Sequence, residues 1–362
     1  MVQERNGLRF CMETKIRYLD EREKSRRLWE TAFPEDSKEF ADYYFRDKIR
    51  DNRVLVKEEE GEILSMLHLN PYNMKVGDRA YRLDYIVGVA TRQDRRHEGH
   101  MKSLLEKMME DMYEERVPFT FLMPASEKIY SPFDFRFIYD QPYWKLSPGY
   151  EERKVTAGHL AEASGEKLPD AAKVADWMNQ WLEERFDVYT IRTEEYVKRL
   201  DAELASEDGS WIFLYRDGKL AGIRCLWGLK EKEERLLYLS DKGTAEADRM
   251  KPAVMARLIC LEEFTANIRL KHDCGIHSME VKIGVEDHFI RQNNGIWLWK
   301  LSMSGSVLEK ISDQVPSDAT EESTVFTPGE LIEWLTGYRT DMKREWMEFV
   351  EPLGKIFIDE VV

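Results

Sequence analysis

The 362-residue chain carries 54 Lys and Arg against 69 Asp and Glu, a formal net charge of −15, with 43% hydrophobic and 12% aromatic residues. That length exceeds one ordinary core and predicts two or three domains, and the apolar content excludes a disordered chain. The acidic balance argues against nucleic acid as the main partner; it is compatible with a cationic small molecule but mostly serves solubility, and no apolar run is long enough to span a bilayer. The four cysteines, Cys11, Cys225, Cys260 and Cys274, form no C-x-x-C pair, so neither a zinc site nor a disulfide framework is expected. The N-terminus lacks a basic region followed by an apolar core, so no secretory signal is expected. The reading is of a soluble, cytoplasmic protein that binds no nucleic acid, membrane or metal.

In chain order, Tyr18 to Lys48 reads as helical with a break at Phe33-Pro34. Leu28, Trp29, Ala32 and Phe33 give one apolar face, Phe40, Tyr43, Tyr44 and Phe45 a second, and Asp36 or Ser37 caps the second helix. Glu35, Asp36 and Glu39 could meet a cation, but acids in a first helical turn are expected anyway. Val54-Leu55-Val56 is a strand, Glu60-Gly61 a turn and Ile63 to Leu69 the hairpin partner. Arg79 to Arg82 leads into an apolar strand, Tyr85 to Ala90. A basic turn, Arg92 to His100, narrows at Gly99. Then Met101, Leu104, Leu105, Met108, Met109, Met112 and Tyr113 recur at helical spacing. A glycine turn at a helix start exposes free N–H groups and the positive end of the helix dipole, which suits a phosphate. The P-loop and dinucleotide glycine patterns are both absent. What remains is Arg96-His97-Glu98-Gly99-His100-Met101, an R-x-x-G turn.

Val117 to Pro124 reads as another buried strand and runs into Ala125-Ser126-Glu127-Lys128-Ile129-Tyr130-Ser131-Pro132-Phe133-Asp134-Phe135. Together with the turn, this resembles the Eis-like (enhanced intracellular survival) type of GNAT N-acetyltransferase. The resemblance implies that the turn, Arg96, His97, Glu98, Gly99, His100 and Met101, holds the pyrophosphate of acetyl-CoA. Met101 stands where a Gly or Ala is usual. Val89, Ala90 and Thr91 would hold the pantetheine arm, with Ser126 also in the cofactor site. Arg95 and Arg96 either add charge near the phosphates or form a solvated turn. Tyr130 is implied as the general acid; the alternative is a ring packed beside Phe133 and Phe135. A phenol near pKa 10 and a thiol near about 8.5 are matched closely enough for that proton transfer. The terminal carboxylate of Val362 is implied as the base, its pKa of about 3.5 raised by burial near Val361 and Phe357. Asp359 and Glu360 are the alternative bases. Among the histidines, His97 and His100 should face phosphate or solvent, and His68 should be a satisfied core residue.

Downstream, Trp211 to Ile223 repeats the pattern of Val54 to Met66, and Leu236 to Leu239 matches the central strand. No R-x-x-G turn follows, so this second copy should bind no coenzyme. Its helices span Ala171 to Arg185 and Thr193 to Leu204. Lys251-Pro252 opens a third region, read as a helix over Ala253 to Ala266 and strands near Ser278 to Ile283, Gly295 to Ser302 and Ser323 to Phe326. Ser312 to Ser323 reads as a loop. Thr327-Pro328-Gly329-Glu330 is a capping box before a helix ended by Gly337. This region resembles the sterol-carrier-like domain that closes Eis-like enzymes. The apolar tail, Gly354 to Val362, reads as a strand docked inward.

The expected fold is α/β (α+β): tandem GNAT folds at 1–148, catalytic, and 149–250, degenerate, then a sterol-carrier-like domain at 251–362. The expected function is acetyl transfer from acetyl-CoA to a primary amine of an aminoglycoside- or polyamine-like molecule, or of lysine. A dimer or hexamer is implied by resemblance. The alternative is a non-catalytic binding protein for an apolar ligand or a protein partner.

Overall fold

Period-two burial along the early strands decides the architecture. Val54 and Val56 are buried on one face and Leu55 on the other, so the sheet they build is covered on both sides. The computed structural model describes residues 14–146, 148–163, 168–240, 245–314, 324–338 and 344–360. In chain order these give β1 (Lys15–Tyr18), α1 (Arg26–Ala32), α2 (Lys38–Arg46), β2 (Arg53–Glu59), β3 (Glu62–Val76) and β4 (Arg79–Thr91). Next come α3 (His100–Glu114), β5 (Phe119–Leu122), α4 (Glu127–Tyr130), β6 (Arg136–Leu146), β7 (Glu151–Thr156) and α5 (Leu160–Ala163). The middle of the chain holds α6 (Ala171–Glu183), β8 (Val188–Thr190), α7 (Glu194–Ser206), β9 (Ser210–Arg216), β10 (Lys219–Trp227), β11 (Glu233–Leu239) and β12 (Ala245–Leu258). The rest contributes α8 (Leu261–Thr265), β13 (Arg269–Leu270), β14 (Ser278–Val285), β15 (Gly295–Ser302), β16 (Gly305–Ser312), β17 (Thr324–Phe326), α9 (Pro328–Leu335), β18 (Val350–Glu351) and β19 (Ile356–Phe357).

The main sheet runs β1-β2-β3-β4-β5-β12-β6, with β8 added alongside β3 and β19 alongside β8. β1 to β4 are an antiparallel meander, and β4 and β5 are parallel, touching at the single pair Tyr85↔Phe121. Helix α3 lies over β2, β3 and β4 on one face, and α1 and α2 cover the other. A bulge interrupts β4 where Met66 pairs Ala90 but His68 pairs Val87. Gly88 occupies the bulge at φ +59, and a Cβ there would stand 2.3 Å from the Trp29 ring. Only glycine fits.

The second sheet, β11-β10-β9-β7, contains the repeat of the first hairpin, flanked by α6 and α7. The next described element after β11 is β12, a strand of the main sheet rather than a helix. A third sheet, β16-β15-β14-β17, packs with α9. It is joined to the main sheet by a fully buried pair, Arg257 Nη2 to Asp287 Oδ1 at 2.5 Å.

Several expectations are corrected. Ala253 to Leu258 belongs to strand β12, and helix α8 covers only Leu261–Thr265. A short, mostly apolar run reads alike as buried helix or buried strand, and here β5 and β6 flank it on both edges. Pro252 sits at a register shift, where a missing N–H costs the ladder nothing. The expected boundary at 250/251 therefore falls inside a strand. Tyr18 is in β1 rather than a helix, and β16 pairs with β15 over a stretch for which no strand was expected. Ser37, not Asp36, caps α2: its Oγ accepts from Phe40 N at 2.9 Å, while Asp36 accepts from Trp29 Nε1 at 2.7 Å. The capping box at Thr327 and Glu330 is present as expected. The expected loop over 312–323 lies largely outside the described residues.

Candidate active site

Past Tyr85 nothing pairs with the β5-facing edge of β4 among the described residues, so the backbone groups of the segment containing Val89, Ala90 and Thr91 are open on that side. On the other edge these residues are fixed by β3, with Thr91 Oγ1 and Ser65 Oγ at 2.8 Å. The strand then turns through His97 (φ 67) and Gly99 (φ 79) into α3. Both left-handed residues fold the chain back so that Gly99 caps the helix, and a Cβ at Gly99 would meet nothing within 4 Å. The amides from His97 to Met101 donate to no acceptor among the described residues. Free amides at a helix start, next to an unpaired strand edge, form a cradle for an extended anionic ligand.

The basic side chains are less available than the sequence suggests. Arg92 is paired with Asp94 at 2.8 Å, and Arg95 with Glu59 at 2.8 Å and Glu98 at 3.0 Å. Arg96 is exposed and reaches only the Thr91 carbonyl, at 3.4 Å. It is the turn arginine left without a carboxylate among the described residues. His97 is exposed, as expected, but the His100 side chain is not: it is 5% exposed, with Nε2 3.1 Å from Glu98 and Nδ1 buried without a partner. As the first residue of α3, its ring turns into the sheet while its amide stays in the turn. Met101 packs against the main core.

Across the split, β5 leads to Ser126, exposed at the start of α4, and to Tyr130 at its end. Tyr130 is 8% exposed, with its ring edge-on to Phe135 at 6.0 Å. Its hydroxyl makes no hydrogen bond among the described residues, yet it is not one of the buried, unpartnered polar atoms, so the oxygen still reaches solvent. Burial pushes the phenol up to about 12. The expected ring packing and an accessible hydroxyl therefore coexist.

The C-terminal segment arrives beside this split. β19 pairs in parallel with β8, and Ile358 and Glu360 are 2% and 1% exposed. Glu360 Oε1 accepts from Arg192 Nη1 at 2.5 Å, and its Oε2 is buried without a partner. Asp359 accepts from Arg192 and, at 2.9 Å, from the Tyr238 hydroxyl. Burial first, and then the Glu360 carboxylate, raise the phenols of Tyr72 and Tyr85. Tyr85 also feels Tyr130, so the tail, Tyr85 and Tyr130 share one neighbourhood. Val362 lies outside the described residues. Tyr85, Tyr72 and Arg192 escaped the sequence reading because their role rests on partners far along the chain, 168 residues in the case of Arg192 and Glu360.

Residues 15–138 match the family described as Acetyltransferase (GNAT) domain. This stretch is similar to a GNAT acetyltransferase domain. The match ends within β6, and three solved structures extend the likeness of fold to nearly the whole chain. A conserved Enterococcus faecalis protein of unknown function, called a probable N-acyltransferase, is 15% identical, with 94% of each chain covered and a TM-score of 0.71. A GCN5-related N-acetyltransferase from Anabaena variabilis is 12% identical over 93% of this chain and 94% of its own, at 0.68. Eis1 from Mycobacterium abscessus is 11% identical over 94% of each, at 0.63. No curated protein matches. The fold is mixed α/β with tandem GNAT-like units, its several sheets flanked by helices.

Proposed function

We propose that this protein transfers the acetyl group of acetyl-CoA to a primary amine. The observation that carries the reading is the open β4 edge running into the free amides of the Gly99 turn, with the Tyr130 hydroxyl on the opposite bank. Acetyl-CoA supplies the activated acetyl group. The amides of His97 to Met101 hold its pyrophosphate and Arg96 adds charge, while Val89, Ala90 and Thr91 offer backbone partners to the pantetheine arm. Tyr130, kept protonated far above neutral pH, donates to the departing sulfur. The Val362 carboxylate, two residues beyond buried Glu360, takes the proton of the amine. In the same reading the protein is an Eis-like enzyme of the cytoplasm, working as an oligomer, and the unit of β14 to β17 with α9 is sterol-carrier-like. The acceptor is a small cationic amine or a lysine.

Calorimetry with acetyl-CoA, followed by thiol release in the presence of amines, tests the assignment. Micromolar binding and amine-dependent release are expected; a folded protein that binds no acetyl-CoA at high micromolar concentration would overturn it in favour of a non-catalytic binder. Tyr130→Phe should leave acetyl-CoA binding unchanged and lower kcat by about 10²–10⁴-fold. Removing Val361 and Val362 should abolish turnover while coenzyme affinity persists.

A further inference from the structure

Between α7 and the main sheet lies a cleft of about 150 Å³ lined by none of the residues assigned above to the coenzyme. Asp51, Thr193 and Glu195 are exposed at its mouth, while Lys48, Thr190 and Arg235 close its floor at 5%, 1% and 5% exposure. Tyr72 lines it and packs edge-on against Tyr85 at 6.3 Å, so the cleft adjoins the point where β4 parts from β5.

The charges do not cancel at the floor. Arg199 is held by Asp51 at 3.1 and 3.2 Å, and Arg235 by Glu203 at 3.1 Å. Lys48 Nζ donates to the Tyr72 hydroxyl at 2.6 Å, and no carboxylate among the described residues lies within ion-pair distance of it. A buried ammonium with no carboxylate in contact is costly: desolvation pulls Lys48 down to about 8 although the more distant Glu203 and Glu360 favour its charge, so most of it is still charged at neutral pH. In the same cleft the Thr190 hydroxyl is buried with no partner among the described residues. An ammonium whose one acceptor is a neutral phenol, and a hydroxyl with no partner among the described residues, line one small cavity and are what a carboxylate would satisfy.

Resting on the acetyltransferase reading, we propose that this cleft is an acceptor subsite that binds a carboxylate, with Lys48 and Thr190 as its donors. The substrate class is then an amine that also bears a carboxylate, an amino acid or amino-acid-like molecule, rather than a polyamine. The carboxylate sits on Lys48, and the amine extends past Tyr72 toward Tyr85. The cavity has room for a carboxylate and a few methylene groups.

The test titrates the full chain, with and without coenzyme A, with ω-amino acids of two to six carbons and with the alkylamines of equal length. Wild-type protein should bind at least one amino acid tenfold or more tightly than its amine. Lys48→Met should erase the difference, and Thr190→Val should reduce it, with acetyl-CoA affinity unchanged in both. Equal binding of acid and amine by wild type needs no variant and overturns the proposal, as does a preference that survives Lys48→Met. A preference that appears only after Val361 and Val362 are removed would assign the anion to the chain itself, and also overturns it. Absent acetyl-CoA binding would sink the enzymatic reading alone, because the coenzyme-free titration still reports on the cleft.

Discussion

His68 lies fully buried on β3, packed by Trp29 at 5.2 Å, with Nδ1 3.1 Å from the Tyr44 hydroxyl. Tyr44 also donates to Asn70 at 3.1 Å, so the imidazole is the donor at Nδ1 and its Nε2 is left without a partner. The expectation of a satisfied core histidine holds for one nitrogen of the two. Burial holds the ring down to about 3. An unfolded histidine titrates near about 6.5, so between those values the unfolded chain binds a proton that the folded chain refuses, and stability falls as pH drops. The loss from pH 7 to pH 4 should be on the order of 3 kcal/mol. His68→Gln should flatten that dependence in urea unfolding at the two pH values; an unchanged slope would show that the ring is not the cause. At this scale, sequence legibility followed locality. Gly99 and Tyr130 stand in short, continuous motifs. Lys48 and Glu360 look like ordinary surface charges until the residues that bury them, far off in the chain, are known.

The bulge in β4 shows how one element aims the site. Gly88 combines φ +59 with the Trp29 ring, whereas Gly61 has φ +83 and open space. Gly88→Ala should therefore cost about 2–4 kcal/mol, adding overpacking to backbone strain, and Gly61→Ala only about 1. Urea midpoints of the two variants check this, and equal losses would mean that the indole moves aside freely. The hairpins and α3 were readable because their periodicity is internal. Strand β12 was not: β5 and β6 take both its edges, Val254, Met255 and Ala256 are buried on both faces of the sheet, and burial on all sides erases the alternation that marks a strand. The arginine turn misled in another way, since the carboxylate holding Arg95 from outside the turn, Glu59, lies on β2.

Over the whole molecule, the main sheet draws strands from all three expected segments: β8 from the second, β12 across the second boundary and β19 from the last. The repeat made the first hairpin and its copy legible, but not this stitching, which depends on pairings no local pattern announces. Arg257 and Asp287 tie the third unit in, and Asp287 also accepts from the amides of Phe289 and Ile290 and from Asn293. Arg257→Met would leave that carboxylate buried without its cation, so we expect a loss of about 3–5 kcal/mol. Calorimetry should still show one cooperative transition; separate melting of a C-terminal unit would refute the shared core.

The late arrival of β12 has a cost during translation. When β6 leaves the ribosome, β5 and β6 each present a naked edge toward a slot that is filled only about a hundred residues later. At bacterial-like elongation rates that interval lasts roughly 5–20 s, long enough for a neighbouring nascent chain to donate a strand of its own. Crowded polysomes are therefore where this fold is most vulnerable, and where a ribosome-associated chaperone would matter most.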